Sequence, residues 1–208
     1  HAFDLGYQEG VKAACADCKI ISNYVGVTPD AWNDPARAKE LASTQNAQGA
    51  DIIYAAAGAS GNGVIDYVTE KQCFVPSGAT RATPIDAQLE QIAKPAGYDE
   101  KCGGAAKPIF FIGVDSNQNP FGDTDGDPAT LNFGLTSMLK RVDVASYNSV
   151  MDVVNGTFTP GVVNLGLAED GVDYALDEYN SALIPEAVVA AVNQAKQDII
   201  DGKIVVTD

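Results

Sequence analysis

The stretch IFFIGVDSNQNPFGDTDGDPATLNFGLTSMLKRVD, residues 109–143, decides the fold of this chain. No polar side chain interrupts its first six residues, 109–114, which predicts a strand buried on both faces of a parallel sheet. Asp115 follows this run directly. In open parallel α/β sheets, ligands bind beyond the carboxyl ends of the strands. Asp115 is therefore predicted to face a ligand-binding crevice.

A second apolar run, residues 133–138, predicts the next strand, and a helix is predicted to follow it over residues 139–155. Lys140 lies at this junction between strand and helix. A carboxylate beyond one strand and an ammonium beyond the next can hold a small polar ligand between them. Asp115 and Lys140 are therefore predicted to be a ligand-binding pair.

The rest of the chain alternates apolar runs with helical patterns, which is typical of an α/β fold. The chain opens on a helical pattern with no strand before it, so we expect it to begin partway through a larger fold. Further strands are predicted at residues 19–25, 51–57, 162–167, 172–176 and 203–206, and further helices at 3–14, 35–48, 64–71, 86–93 and from Pro185 to Gly202.

Length and composition limit the possible partners. A chain of 208 residues that is 46% hydrophobic can bury a sizeable core, and we predict a single α/β region over residues 1–208. The formal net charge of -15 argues against nucleic acid and anionic membrane surfaces, because both require a basic face. No apolar stretch approaches the roughly 20 residues that a membrane-spanning helix needs.

The four cysteines are Cys15, Cys18, Cys73 and Cys102. The C-x-x-C spacing of the first pair is compatible with a zinc site or a thioredoxin-type motif. However, the second pair lacks this spacing, and His1 is the only histidine. Two disulfides, Cys15–Cys18 and Cys73–Cys102, fit better and indicate an oxidising, extracytoplasmic compartment. The second disulfide would staple an insertion predicted at about residues 72–107.

The glycine-rich turn GASGNG, residues 58–63, joins a predicted strand to a predicted helix. Backbone N–H groups at the start of such a helix can bind an anion or a hydroxyl. The turn does not match a dinucleotide-binding, phosphate-binding or Gly-x-Ser-x-Gly nucleophile motif, so we expect no cofactor here. A purely structural turn is the alternative interpretation.

Catalysis and metal binding have weaker support in the sequence. A Ser-His-Asp triad would have to use His1, which lies at the chain terminus. Acidic and amide residues alternate between Asp115 and Asp127 with the spacing of a calcium loop, but the twelfth-position glutamate is absent. A calcium site and an ordinary polar loop both stay open, and no metal ligand is assigned. Trp32 is interpreted as a buried cap over the sheet, with ring stacking as the alternative.

Several segments together resemble one protein family, the basic-membrane-protein (BMP) or PnrA-like substrate-binding lipoproteins of ABC transporters. The resemblance covers most of the chain and implies the type I periplasmic-binding-protein fold, a three-layer α/β structure with a parallel sheet and helices on both faces. It implies mostly the second lobe of that two-lobe fold. The matching segments, in order, are FDLGYQEGVKAA, NYVG, DPARAKELA, GADIIYAAAGASGNGV, IGVDSNQ, LTSMLKRVD, NGTF and DGKIVV.

The resemblance implies a solute-binding component of an ABC transporter, rather than an enzyme, that holds a purine nucleoside, another nucleoside or a similar small polar ligand in the cleft between two lobes. Asp115 and Lys140 would bind the ribose hydroxyls, and Ala57, Gly58 and Ser60 would line the same cleft. The implied partners are this ligand and the transporter permease, with an extracytoplasmic location, either periplasmic or held to the membrane by a lipid anchor outside this sequence. An α/β hydrolytic enzyme acting on a sugar or nucleoside is the alternative.

Overall fold

The computed structural model describes residues 2–76 and 82–206, so His1 and residues 77–81 of the predicted insertion lie outside the described residues. The helices are α1 (Ala2–Ala14), α2 (Pro35–Ala47), α3 (Gly61–Lys71), α4 (Asp86–Gln91), α5 (Tyr98–Cys102), α6 (Val142–Asn155) and α7 (Glu186–Ile200). The strands are β1 (Ile52–Tyr54), β2 (Cys73–Phe74), β3 (Lys107–Pro108), β4 (Phe110–Gly113), β5 (Gly134–Lys140) and β6 (Val172–Tyr174).

The central sheet has four strands in the order β1-β4-β5-β6. The first three are parallel, and β6 pairs antiparallel with β5 at one edge. Tyr54 is opposite Ile112, and Gly113 is opposite Ser137, so β1, β4 and β5 end along one side of the sheet. Strands β2 and β3 form a separate antiparallel ribbon. The predicted α/β class with a mainly parallel sheet is confirmed.

Strand β4 is buried on both faces, as the apolar run at 109–114 predicts. Successive residues of a strand face opposite sides of the sheet. The exposed fractions are 3% for Phe110 and 0% for Phe111, so neither face of β4 is open to solvent. The hydrophobic core surrounds this strand and draws its buried residues from α2, α3, the sheet and the segments near residues 98–102, 131–133 and 183.

Helices α2 and α3 pack against each other with almost no space at one glycine. A Cβ at Gly63 would lie only 1.8 Å from the carbonyl oxygen of Pro35, so no other residue fits without moving α2. Helix α2 begins as predicted, because the Asp34 side chain accepts a hydrogen bond from the Arg37 N–H at 2.9 Å, with Pro35 in the first turn. The glycine-rich turn therefore has a packing role.

Three predicted strands are wrong. Segments 19–25, 162–167 and 203–206 form no ladder in the described structure. A β-rich composition produces a strand only where a neighbouring strand offers backbone partners. In the first segment, the hydroxyls of Ser22 and Tyr24 instead donate hydrogen bonds to the Asp4 carboxylate of α1. This segment therefore associates with a helix.

The predicted helix over 139–155 begins three residues later, at Val142. Leu139 and Lys140 continue β5, because they pair with Asp173 and Val172 of β6. Apolar residues occur both in β5 and in α6, so the sequence pattern does not show where the strand ends and the helix begins. Lys140 is therefore the last residue of a strand, and the prediction that it lies on the helix is wrong.

The valines that recur at helical spacing along α6 are not buried. Val142, Val150 and Val153 have exposed fractions of 65%, 61% and 63%, since no described element covers them. Helices α1, α6 and α7 contribute no buried residue to the core. The chain accordingly exposes 12161 Å², compared with the roughly 9,200 Å² typical of a compact chain of its mass. No described helix is long and apolar enough to span a membrane.

Both predicted disulfides are confirmed. Cys15–Cys18 closes a short loop at the end of α1, whereas Cys73–Cys102 joins β2 to α5 across a separation of 29 residues. Both cysteines of the second disulfide are buried in the core cluster. Nearby, the ring of Tyr98 stacks on Phe133 with 6.2 Å between centroids, which fixes α5 against the core.

We expect the two disulfides to differ in their contribution to stability. In the chain-entropy description, closing a loop with a separation of 29 residues stabilises the fold by roughly 3–4 kcal/mol, whereas a separation of 3 contributes roughly 2 kcal/mol or less. Urea unfolding of the double variants Cys73→Ala/Cys102→Ala and Cys15→Ala/Cys18→Ala measures the difference. Equal losses of unfolding free energy would contradict this prediction.

Candidate functional site

The carboxyl ends of the parallel strands bring the predicted pair together. Asp115 follows β4, and Lys140 ends the adjacent strand β5. The Lys140 Nζ lies 2.6 Å from the Asp115 Oδ1. Both side chains are nearly half exposed, and ion pairs of this kind contribute about 0–1 kcal/mol to stability. The pair is therefore too weak to serve mainly as a structural support.

The backbone at Asp115 is held in an unusual conformation. Its φ angle is +70°, in the left-handed region that non-glycine residues rarely occupy. The Lys140 N–H donates a hydrogen bond of 2.9 Å to the Asp115 carbonyl. Among the described residues, the Asp115 Oδ1 accepts no hydrogen bond of good geometry, although the Lys140 ammonium is within ion-pair distance. This buried oxygen therefore retains capacity to accept a hydrogen bond from a ligand.

Helix α1 adds aromatic residues that the sequence analysis missed. The Phe3 ring lies 4.9 Å from the Lys140 Nζ, a cation–π distance. One turn later, the Tyr7 ring lies 5.1 Å from the ring of Tyr54, the last residue of β1. Phe3 and Tyr7 are four residues apart and share one helix face. This spacing was the signal in the sequence, but it does not reveal which strand the helix faces.

The environment of Tyr54 is both buried and negatively charged. Burial raises the pKa of the Tyr54 hydroxyl, and the charge of Asp115 and the nearby Tyr7 raise it further, to about 12. Burial and the charge of Asp51 also raise the pKa of Tyr7. Both hydroxyls are therefore protonated at neutral pH and can donate hydrogen bonds.

A wide cleft of about 1240 Å³ lies beside these aromatic rings. Its lining is mainly apolar and includes Phe3, Tyr7, Trp32, Tyr54 and Ala57. Asp115 and Lys140 do not line it, but the Lys140 ammonium lies over the Phe3 ring and the Asp115 charge acts on Tyr54. The charged pair therefore lies at the rim of the cleft.

Ser60 is engaged within the protein. Its hydroxyl is fully buried, donates to the Ala31 carbonyl at 2.6 Å and accepts from the Asp34 N–H at 2.7 Å. These bonds hold the segment that carries Trp32 against the glycine-rich turn. The interpretation of Ser60 as a direct ligand contact therefore changes, because its hydroxyl already has a donor and an acceptor partner.

Trp32 is exposed rather than buried. Its exposed fraction is 60%, so the interpretation as a buried cap is wrong. The indole packs on Gly58, where a Cβ would approach the ring to 3.3 Å and where φ is +56°. A glycine is required here by both the conformation and the contact.

The aspartate-rich loop uses its carboxylates to form turns. Asp123 accepts hydrogen bonds from the N–H groups of Asp125 and Gly126, and Asp127 accepts one from Ala129. Asp125 also accepts from the Thr130 hydroxyl. No group of three or more metal-ligating side chains converges within residues 2–76 and 82–206.

Comparison with known proteins shows what the chain is similar to. A family model described as "ABC transporter substrate-binding protein PnrA-like" matches residues 1–74. The chain is 29% identical to the "ABC transporter nucleoside-binding protein BmpA" of Lactococcus lactis subsp. cremoris over 98% of its own length. It is also 28% identical to "Basic membrane protein D" of Borreliella burgdorferi over 85% of its length. It covers 48% of the first protein and 39% of the second.

Solved structures share the fold. An ABC transporter solute-binding protein from Aeropyrum pernix K1 aligns with 99% of this chain at a TM-score of 0.61 and 24% identity. A second, from Conexibacter woesei, aligns with 99% of the chain at 0.62 and 15% identity. The chain is similar to PnrA-like substrate-binding proteins. The resemblance expected from the sequence is thus confirmed, and the chain spans about half the length of the proteins that it matches.

We expect Tyr54 to make the stability of this chain fall at high pH. The pKa of Tyr54 is raised from 10.0 to about 12 on folding, so its contribution is fully present below pH 10 and is lost as the pH rises towards 12. Urea unfolding at several pH values should show a smaller loss between pH 10 and 12 for Tyr54→Phe than for the parent.

The exposed Tyr147 of α6 provides the control, because Tyr147→Phe removes a hydroxyl far from the core. This variant should keep the pH dependence of the parent. A Tyr54→Phe variant with the same loss of stability as the parent and Tyr147→Phe would contradict the prediction.

Proposed function

We propose that this chain binds a nucleoside for an ABC transporter, with the Asp115–Lys140 pair contacting the ribose. The observation that carries the proposal is the position of this pair. It lies at the carboxyl edge of the parallel strands, on the rim of an aromatic cleft. Ligands bind at this edge in open α/β sheets. The Lactococcus relative, which is named as nucleoside-binding, supports the choice of ligand.

The pair has the chemistry that vicinal hydroxyls require. A carboxylate accepts hydrogen bonds from two hydroxyls, and an ammonium donates to the oxygens of the same hydroxyls. The ion pair contributes only about 0–1 kcal/mol, so a ligand can rearrange it at little cost. Each hydrogen bond between a hydroxyl and one of these charged groups is worth roughly 1.5–3 kcal/mol. The balance therefore favours the ligand-bound arrangement.

The aromatic cleft provides a surface for the base. Phe3, Tyr7, Tyr54 and Trp32 line it together with Ala57. Aromatic rings stack on planar ligands and add about 0.5–1.5 kcal/mol beyond the buried area. Gly58 packs against the Trp32 ring, and the Ser60 hydroxyl holds the segment that contains Trp32. In this proposal Ala57 lines the cleft, and Gly58 and Ser60 act through Trp32.

Binding, rather than hydrolysis, has the better support. The Lactococcus relative is named as nucleoside-binding, and the Aeropyrum structure is named as solute-binding. The one serine of the glycine-rich turn, Ser60, has its hydroxyl fully engaged. We also propose an extracytoplasmic location and a permease partner. The two disulfides and the relatives named as lipoprotein and basic membrane protein support this location.

The charged pair gives a direct test. Asp115→Asn keeps the shape of the side chain and removes its charge, whereas Lys140→Met keeps most of the stem and removes the donors. Each loses a hydrogen bond to a charged group, so we expect affinity to fall roughly ten- to a hundredfold. Calorimetry with adenosine, guanosine and inosine measures this loss.

Matched controls come from an exposed ion pair elsewhere. Lys203 contacts Asp198 at 3.0 Å near the end of α7. Lys203→Met and Asp198→Asn should bind nucleosides as the parent does. Parental affinity in both Asp115→Asn and Lys140→Met would place the site elsewhere, and binding of a sugar or peptide instead of any nucleoside would overturn the choice of ligand.

Phe3 tests the aromatic half of the proposed site. Phe3→Leu keeps an apolar side chain but removes the ring, so we expect affinity for purine nucleosides to fall roughly three- to tenfold, while ribose alone binds equally to both proteins. The control is Phe158→Leu, because Phe158 is exposed and does not line the cleft. Equal binding of nucleosides by the parent and Phe3→Leu would argue against stacking on this ring.

A further inference from the structure

The Asp115 site is connected to a chain of hydrogen bonds that passes beneath it. Loop residues 114–120 leave the end of β4, and several polar groups along them have partners inside the protein. The Val114 N–H donates to the Gln118 Oε1 at 2.9 Å. The Gln118 N–H donates to the Ser137 Oγ at 2.9 Å. The Ser137 hydroxyl in turn donates to the Asn119 Oδ1 at 2.9 Å.

The chain of bonds ends on one carboxylate, Asp177. Its Oδ2 accepts from the Asn119 Nδ2 at 3.1 Å and from the Asn117 Nδ2 at 2.6 Å. The Asn119 N–H also donates to the Asn117 Oδ1, which ties the two amides together. Asp177 itself is fixed by two turn bonds, since its N–H donates to Asn180 and its Oδ1 accepts from the Tyr179 N–H.

Burial makes this network sensitive to a missing partner. Asn119, Ser137 and Asn180 are all fully buried. A buried polar group that loses its partner incurs a desolvation penalty, so the members tend to move together rather than singly. Gly113 provides the space, because a Cβ there would lie 2.7 Å from the Ser137 Oγ.

Two of these bonds bracket the ligand-binding carboxylate. The Val114 N–H, immediately before Asp115, is held by Gln118, while the Asp115 carbonyl is held by the Lys140 N–H at 2.9 Å. A non-glycine residue at a φ of +70° persists only when its surroundings determine it. The network supplies part of that determination through Gln118 and Ser137.

We infer that Asp177 is a positioning residue for the site: it acts through Asn117, Asn119 and Ser137 to hold Asp115 in its ligand-binding conformation. The inference rests on the proposed function for its effect on affinity. It also places part of the control of the site in the segment after β6, 62 residues from Asp115 along the chain. Asp177 touches no ligand in this scheme and works only through the loop.

The test combines a binding cycle with a measurement that needs no ligand. Asp177→Asn keeps the side-chain shape but removes the carboxylate that accepts both amides. We expect affinity for nucleosides to fall about fivefold in the parent but less than about twofold in Asp115→Asn, because the contact being positioned is already lost there. In the free protein, hydrogen exchange at the Val114 and Gln118 amides should accelerate about tenfold.

Two further variants keep the outcome clear. Asp173→Asn is the control, since Asp173 lies in β6 and pairs with Lys196 at 3.4 Å, away from the loop. It should change neither the affinity nor the two exchange rates. Ser137→Ala interrupts the chain of bonds at its centre and should reproduce the accelerated exchange of Asp177→Asn.

Each result bears on one proposal. Unchanged exchange at Val114 and Gln118 in Asp177→Asn overturns the positioning role, and so does an equal loss of affinity with and without Asp115→Asn. Accelerated exchange together with a parent that binds no nucleoside supports the positioning role and overturns the proposed function instead.

Discussion

The structure depends on the burial of β4 between two parallel neighbours. Phe110 and Phe111 face opposite sides of the sheet and are both excluded from solvent, so this strand has no room for a polar side chain. Polar chemistry can begin only where β4 ends. The first residue beyond the buried run is Asp115, and its carbonyl is tied to the last residue of β5, Lys140. Because β4 excludes polar side chains along its length, Asp115 and Lys140 come together only where the strands end.

Close backbone contacts impose a second constraint. Gly63 allows α3 to touch the start of α2, and Gly113 leaves space for the buried hydroxyl of Ser137 beneath the site. Gly58 has a positive φ angle and lies against the Trp32 ring. A glycine-rich turn after a strand resembles a binding motif because binding loops and tight packing make the same demand on the backbone. In this structure the glycines of the turn make close packing contacts, and the turn contributes to the cleft through Trp32.

Local patterns in the sequence predicted what depends on local physics. The apolar run at 109–114 predicted a buried strand, and the end of that run predicted the position of Asp115 beyond the sheet. The Asp115–Lys140 pair and the Cys73–Cys102 disulfide were also predicted, but several other features that depend on distant partners were not. Segment 19–25 has strand composition but binds α1 through Asp4, and the apolar face of α6 has no described partner. The contact of Phe3 with Lys140 joins residues that are far apart in the sequence, so neither local pattern predicts it.

The Asp115 side and the aromatic side of the candidate site are stabilised by different kinds of interaction. The Asp115 side rests on buried hydrogen bonds through Ser137 and Asn119, where an unpaired group costs about 1–3 kcal/mol. The aromatic side rests on α1, which contributes no described residue to the buried core cluster and is tied to its neighbouring segment through exposed hydrogen bonds to Asp4. Exposed hydrogen bonds compete with water and contribute less. The backbone of the loop that carries Asp115 is therefore held more firmly than the aromatic side of the cleft. In the proposed site, this backbone would stay fixed while the Lys140 ion pair and the aromatic side adjust to a ligand.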